Sequence, residues 1–499
     1  MSSSMSEISE VPQLADTAEM SIEELRAVAA HGGGGEQPSG SLWTAVREAL
    51  AGSTRDYTSG PVSHAIFVLA VPMVLEMVME SVFAVCDVFF VSRLGASAVA
   101  TVGLTESWLT IVYGLAMGLA IAATATVARR TGERDREGAA HAAAQSILLA
   151  LAFTIVLGGF AAFAAPRMLA LMGASSDVLA IGSTYARIML GGNITIVMLF
   201  LINAIFRGAG DAVIAMRVLW LANAINILLG PCLIFGLGPF PRMGVAGAAL
   251  ATNIGRGTGA LFALSRLLKP GSRVDLHVRH FRFDPAVIVR LARLAWSASV
   301  QLLIGMGSWI ALIRILSTFG SNVLAGYTIG VRLFLFALLP AAGLANAAAT
   351  MVGQALGAKK PERAARAVRI AGTYNMVVLT VAGAVLAIFA RTIAGWFTQD
   401  PAVLPEAAAT LRTVAYGFPF YAWGMVMSQS FNGAGDTRTP TLINIGVFWC
   451  WELPIAYLLG VRFGYGPHAV YLSITIAFST YAVVAAGLFN RGTWKTKTV

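Results

Sequence analysis

Hydrophobic residues recur along this chain in long runs that short polar breaks separate. A run of about 20 apolar residues is long enough to cross a bilayer as a helix. Twelve such runs are present: 62–92, 99–128, 140–165, 181–206, 212–237, 244–268, 288–317, 322–352, 366–390, 407–431, 440–460 and 468–490. Several exceed the length of a perpendicular crossing, so we expect tilt or bending. The pattern predicts an all-α integral membrane protein of twelve transmembrane helices.

An internal repeat relates the two halves of the chain. Gly95 recurs as Gly320, segment 132–142 recurs as 357–367, and segment 206–211 recurs as 431–436, each 225 residues later. Each repeat holds six spans, and an even number keeps both repeats in the same orientation. The sequence therefore predicts two six-helix lobes related by a pseudo-twofold axis along the membrane normal. Two lobes surrounding a central cleft have the geometry needed for alternating access, in which the cleft opens to one side of the membrane at a time.

The polar segments complete the predicted domain organisation. The predicted parts are a disordered cytoplasmic tail (1–60), a first lobe (61–268), a cytoplasmic linker (269–287), a second lobe (288–490) and a cytoplasmic C-terminal tail (491–499). Within the first tail, 42–50 predicts a short amphipathic helix at the membrane interface.

Composition excludes several classes of protein. Apolar residues make up 57% of the chain and charged residues 12%, whereas a soluble domain carries about 25% charge. The net charge of +10 comes mainly from basic residues near 129–136, 266–293 and 359–369. This distribution predicts a multi-pass protein of a bacterial-type inner membrane with both termini cytoplasmic, and it argues against a nucleic-acid partner.

The motifs of common enzymes are missing from the sequence. The three cysteines lie in apolar stretches without metal-site spacing, and no nucleotide-binding or hydrolase motif is present. We therefore expect no enzyme activity, no cofactor and no metal centre, and we expect an ion gradient to supply the energy.

Ionisable residues inside membrane spans are costly, so each is a candidate functional group. The spans contain Glu76, Glu80, Asp87, Glu106, Arg187, Arg256, Arg314, Arg332, Arg412 and Glu452. The three acids of the first span fall within a stripe about 40° wide and about 16 Å long. Three carboxylates on one face cannot all be ionised in a low-dielectric setting. This stripe predicts a site that loads H⁺ or Na⁺, although pairing with neighbouring arginines is the alternative.

The second half lacks the acidic stripe. The positions equivalent to Glu76, Glu80 and Asp87 hold Gln301, Gly305 and Leu312. Glu452 is acidic there, and it has either Arg314 or Arg332 as an ion-pair partner or a cation as a ligand. The expected substrate cavity is lined by Met73, Met77, Tyr113, Asn193, Tyr327 and Glu452, because methionine and aromatic side chains adapt to varied organic cations. Asn223 and Asn226 supply buried amides on the fifth span.

Five segments together resemble the multidrug and toxic compound extrusion (MATE) family over about 60–490. They are 87–95, 206–211, 244–252, 353–358 and 431–437. The resemblance implies a twelve-helix, two-lobe fold that exports amphipathic or cationic compounds against H⁺ or Na⁺. It also implies that Asp87 binds the coupling ion, that Pro72 bends the first helix, and that Glu80, Asn226 and Thr252 contribute to the site.

One position departs from the family pattern. Members with a complete Na⁺ site have an acid four residues after the asparagine equivalent to Asn226, where this chain has Gly230. We therefore expect H⁺ rather than Na⁺, with Glu76 and Glu80 able to supply the missing charge. The expected protein is a monomeric proton-coupled drug antiporter whose partners are small molecules and the bilayer. A lipid-linked oligosaccharide flippase is the alternative, and Arg256, Arg314 and Arg332 would then line its basic cavity. A receptor or membrane enzyme is the other class; it would need a set of catalytic residues, and the sequence shows none.

Overall fold

The computed structural model describes residues 42–52 and 56–497, and every regular element in that part of the chain is helical. A short helix, Leu42–Ala51, precedes the spans. Spans 1–6 are Val62–Ser92, Ala96–Gly132, Arg136–Leu171, Ser176–Gly208, Ala212–Phe235 and Val245–Leu267. Spans 7–12 are Pro285–Leu316, Ser321–Gly357, Pro361–Ile388, 404–433, Arg438–Arg462 and Pro467–Asn490. The predicted all-α fold is confirmed, because helix lies at each of the twelve predicted positions.

Ten helices of the described chain are long and apolar enough to cross a membrane. Spans 6 and 10 fall outside that set for different reasons. Span 6 is rich in glycine, alanine and threonine and carries Arg256 in its middle. Span 10 is interrupted at 416–417, which leaves pieces of 12 and 16 residues. Both spans nevertheless pack within the bundle.

The helix interruptions do not all fall where the sequence suggested. Span 1 continues through Pro72, and span 5 continues through Gly230 and Pro231 as far as Phe235. Span 5 ends only at Gly236, whose φ is 75°. Span 11 instead contains a wider π-helical stretch, Ile445–Glu452. Such stretches are rare, and they frequently occur at functional sites.

Two large apolar cores organise the bundle, and spans 1 and 7 connect them. The beginning of span 1, from Val62 to Met73, packs into the core formed mainly by residues 312–494. Val91, near the end of span 1, belongs to the other core, formed mainly by residues 98–276. Span 7 does the reverse, since Leu291 near its start packs with the first half and Leu316 at its end packs with the second. A movement of either span therefore displaces side chains in both cores.

Glycines bring the halves into backbone contact at one end of the bundle, which we call the basic end because it carries the basic turns at 132–136 and 357–361. A Cβ built on Gly357 would lie 2.1 Å from the Arg129 oxygen and 3.0 Å from Cα of Gly132. Gly132 and Gly357 are equivalent in the two repeats. Only glycine permits this approach, so the basic end is closed in this structure.

Both chain segments that flank the bundle also reach the basic end. Arg363 donates hydrogen bonds to the backbone oxygens of Tyr57, Ser59 and Gly60, and Trp494 near the C-terminus is fully buried. Burial opposes ionisation of Asp56, but hydrogen bonds from Thr58 and the ion pair with Arg134 outweigh it and lower the pKa of Asp56.

The short helix predicted over 42–50 is present as Leu42–Ala51. The prediction of a disordered tail is wrong for residues 57–60, because the guanidinium of Arg363 binds the backbone oxygens of Tyr57, Ser59 and Gly60. Residues 1–41 and 53–55 lie outside the described part of the chain.

Candidate ion-coupling site

Glu76, in the middle of span 1, is an ion-paired residue. Its Oε1 accepts hydrogen bonds from Nη1 of Arg207 at 2.6 Å and from Nδ2 of Asn203 at 3.3 Å, both on span 4. The side chains of Glu76 and Arg207 are 2% and 9% exposed. Burial of two opposite charges in contact leaves this part of the stripe close to neutral.

Glu80 lies one helical turn further along span 1 and meets a second arginine. Nη2 of Arg256 lies 3.3 Å from Oε1 of Glu80, and Nδ2 of Asn223 lies 3.1 Å from Oε2. Arg256 belongs to span 6 and Asn223 to span 5, so three helices meet at this carboxylate.

Three aromatic rings surround the Arg256 guanidinium. Its Cζ lies 5.4 Å from the ring centroid of Phe83, 5.7 Å from that of Tyr113 and 5.6 Å from that of Phe200. Arg256 is 4% exposed, and its Nε and Nη1 have no hydrogen-bond partner in the described chain. The electron-rich faces of the rings favour a cation at this point.

Asp87 differs from the other two acids of the stripe. It is half-buried, and within the described residues its electrostatic partner of opposite charge is Arg256, with no hydrogen bond to hold the carboxylate. Glu106 of span 2 and Tyr185 of span 4 also lie within electrostatic range of Asp87. Within the described residues, Asp87 is therefore the one acid of the stripe that has no hydrogen bond or ion pair.

Asn226 and Thr252 are in direct contact beside this group. Nδ2 of Asn226 donates to Oγ1 of Thr252 at 2.8 Å, and both residues are 6% exposed. Thr252 lies one turn before Arg256 on the same face of span 6. A Cβ built on Gly230 would meet only the Asn226 Oδ1, at 4.0 Å. The position where related Na⁺ sites carry an acid thus faces Asn226 and has room for a side chain.

The predicted cavity residues are spread over several places. Tyr113 contacts Phe200 edge to face with centroids 6.1 Å apart, next to Arg256, and Met77 is half-buried on span 1. Met73, Asn193 and Tyr327 are at most 2% exposed, and Tyr327 stacks on Tyr471. These three residues are packed in this conformation and do not line open space.

Glu452 lies at the end of the π-helical stretch of span 11 and is 2% exposed. Its Oε2 has no hydrogen-bond partner in the described chain. Neither expected arginine pairs with it, because the side chains of Arg314 and Arg332 are exposed elsewhere. Tyr327 and Tyr421 are instead the titratable groups within its electrostatic range.

Sequence reasoning missed the partners of the acidic stripe. Arg207 and Asn203 were not singled out, although Arg207 lies inside the repeated segment 206–211, where its counterpart is Asn432. That difference within an otherwise matching repeat is the signal that could have found it. Arg256 was noted only as an intramembrane charge, and its contact with Glu80 requires spans 1 and 6 to be adjacent, which no local pattern shows.

Comparison of the chain with known proteins identifies its family. The family model MatE matches residues 72–232 and again residues 298–458. The chain is 24% identical to the probable multidrug resistance protein NorM of Thermotoga maritima, over 86% of this chain and 93% of that protein. It is 26% identical to the FAD transporter of Shewanella oneidensis, over 81% and 90%.

Solved structures give the same result. A MOP superfamily transporter from Pyrococcus furiosus, described as having a binding pocket of reverse polarity that suggests a different function, has a TM-score of 0.83 and 28% identity, covering 88% of this chain and 98% of that one. A multidrug resistance MATE family transporter in an outward-facing conformation has a TM-score of 0.82 and 27% identity, with the same coverage. The two family matches span most of the membrane region, and the chain therefore belongs to the MatE family, a family of transporters and not of enzymes.

Proposed function

We propose that this protein is a proton-driven antiporter that exports amphipathic or cationic organic compounds from the cytoplasm of a bacterial-type cell. The proposal places the protein as a monomer in the inner membrane with both termini in the cytoplasm. Relatives named as multidrug resistance or multidrug export proteins support the substrate class. The basic end, rich in arginine and lysine, supports the orientation.

The observation that carries the proton assignment is the isolation of Asp87. Glu76 is neutralised by Arg207 and Glu80 by Arg256, whereas Asp87 has no hydrogen bond or ion pair with any residue that the structure describes. A half-buried carboxylate without a contacting counter-charge is the group most easily neutralised by a proton. Gly230 supports H⁺ over Na⁺, because it removes an acidic side chain from the space beside Asn226.

The geometry leads to an alternating-access mechanism. The basic end is closed by the contact between Gly132 and Gly357, which makes the present structure the outward-facing state of the proposal. Protonation of Asp87 removes the negative charge that attracts a cationic substrate, so the substrate leaves to the outside. Span 1 packs into both cores, and its adjustment on protonation is the step that reopens the basic end, where the proton is released.

A lipid-linked oligosaccharide flippase is a weaker second candidate. It needs positive charge free in the cavity, but Arg256 is paired with Glu80. The FAD transporter of Shewanella oneidensis shows that a relative at 26% identity is named for an anionic substrate. An anionic substrate therefore belongs in the test as a separate arm.

The deciding experiment measures transport in everted membrane vesicles with a pH gradient and a Na⁺ gradient imposed separately. Uptake of a cationic fluorescent dye is compared with uptake of FAD. Asp87→Asn removes the charge with almost no change of shape, and Asp177→Asn, at an exposed position at the start of span 4, is the matched control.

We expect the pH gradient alone to drive dye uptake, Asp87→Asn to reduce that uptake at least tenfold, and Asp177→Asn to leave it unchanged. Uptake driven only by Na⁺ would contradict the proton assignment. Full coupling in Asp87→Asn would show that the ion binds elsewhere, and FAD uptake without dye uptake would replace the proposed substrate class.

A further inference from the structure

The proposed coupling site contains a cation that the protein itself supplies. Arg256 extends from span 6 between two acids of span 1, in contact with Glu80 at 3.3 Å and within electrostatic range of Asp87. The guanidinium is almost completely buried, and the rings of Phe83 and Tyr113 cover it. Its Nε and Nη1 make no hydrogen bond of ordinary length in the described chain, and the Tyr113 hydroxyl is the neutral group near them, so the guanidinium retains donors for a second carboxylate.

Arg256 changes the net charge of the group of residues around Asp87. Glu106 of span 2, which is exposed, also has a cation within range, Arg332 of span 8. Tyr113 of span 2 and Tyr185 of span 4 are neutral near pH 7. Glu80 and Arg256 cancel each other, so the group carries one uncompensated negative charge, that of Asp87. Without Arg256 the same group would carry two.

We propose that Arg256 is a positioning residue that sets the number of ions bound at the coupling site. By neutralising Glu80 it leaves Asp87 as the single carboxylate that accepts a proton. Because its unpartnered nitrogens are available, Arg256 pairs with Asp87 when Glu80 loses its charge. This inference rests on the proposed proton-coupled function and adds a role for Arg256 that a merely structural pair would not have.

The test is a double-variant cycle of Glu80→Gln and Arg256→Gln. Two quantities are measured: the protons released when the cationic dye binds to purified protein in weakly buffered detergent solution, and dye uptake driven by a pH gradient in everted vesicles. Monodispersity and the thermal unfolding midpoint establish that each variant is folded. Arg256→Lys is included because it retains the positive charge.

The expected pattern is non-additive. The measurement is made at a pH at which Asp87 is protonated in the dye-free protein; wild-type protein then releases about one proton per dye bound, because one carboxyl group lacks a compensating cation. Glu80→Gln releases at least tenfold less, since Arg256 is then paired with Asp87. Arg256→Gln releases about two protons, because two carboxylates are uncompensated. The double variant returns to about one and regains uptake, and Arg256→Lys stays at the wild-type value.

Several outcomes would overturn the inference. If Arg256→Gln released the same number of protons as the wild type, Arg256 would not control the number of ions bound. If the double variant released no more protons and took up no more dye than Glu80→Gln, Arg256 would not pair with Asp87 in place of Glu80. If variants without Arg256 do not fold, Glu80→Gln decides alone, and normal proton release by it overturns the proposal. Wild-type protein that releases no proton would instead refute the proposed function, which separates the two failures.

Discussion

The buried pair of Glu76 and Arg207 offers a sharp test of how this site is held together. The sequence predicts Glu76 as part of the ion-coupling stripe, but the structure places it in contact with Arg207. The perturbation is a cycle of Glu76→Met, Arg207→Met and the double variant. Methionine fills similar space without charge, so the cycle removes first one charge, then the other, then both.

The contact distance gives the scale of the effect. Two unit charges 2.6 Å apart attract by about 6 kcal/mol at an effective dielectric constant of about 20. Desolvation offsets most of this, since burial costs several kcal/mol for each ion. Glu76 Oε2, which has no hydrogen-bond partner in the described chain, adds to that cost. Either single variant should therefore lose about 3–5 kcal/mol, whereas the double variant should lie within about 1 kcal/mol of the wild type.

The assay is thermal unfolding of the purified protein in detergent, together with dye uptake driven by a pH gradient. Glu362→Gln, which breaks the exposed pair with Lys495, is the control and should leave stability close to that of the wild type, because exposed ion pairs contribute little. Single variants as stable as the wild type would refute the reasoning about the buried pair. A stable double variant that has lost coupling would restore Glu76 to the ion-coupling role that the sequence suggested.

Three further predictions test other parts of the fold. Gly357→Ala should lower the unfolding midpoint, because its Cβ would overlap the Arg129 oxygen at a cost of about 1–3 kcal/mol; Gly103→Ala, with nothing within 4 Å, should not lower it. Glu452→Met should gain about 1–3 kcal/mol by removing a buried carboxylate whose Oε2 has no hydrogen-bond partner in the described chain but lose dye uptake, and unchanged uptake would exclude Glu452 from the substrate cavity. Gly230→Asp should let a Na⁺ gradient drive uptake, measured in everted vesicles, and uptake still indifferent to Na⁺ would contradict the assignment of that position.

Much of the fold could be predicted from this sequence because the membrane constrains it so strongly. Apolar runs of sufficient length must be helical, and the repeated segments revealed the two halves. The repeat is visible in the backbone as well. Arg134 and Lys359, which are equivalent, have φ of 60° and 57°, and Gly95 and Gly320 have φ of 96° and 104°.

The candidate site was predictable only on span 1. The positions of Glu76, Glu80 and Asp87 on one face follow from helix geometry alone, so the stripe could be recognised from their spacing. Their partners could not, because Arg207 and Arg256 lie on other helices and helix adjacency is not encoded in any local pattern. The stripe predicted one three-carboxylate site, whereas two of the carboxylates are paired.

The same comparison of the two halves explains why the proposed coupling site lies in only one of them. In the second half, neutral residues replace the whole charged group of the first: Gln301 for Glu76, Gly305 for Glu80, Leu312 for Asp87, Asn432 for Arg207 and Tyr481 for Arg256. Yet the crossing contacts are retained in both halves, since Gly208 lies against the Thr124 oxygen just as Gly433 lies against that of Ala349. The repeat thus preserves the helix packing inside each half, while only the first half retains the charges. Because Asp87 lies on span 1, and span 1 packs into both cores, the proposed charge change at Asp87 needs no second site to reach the other half.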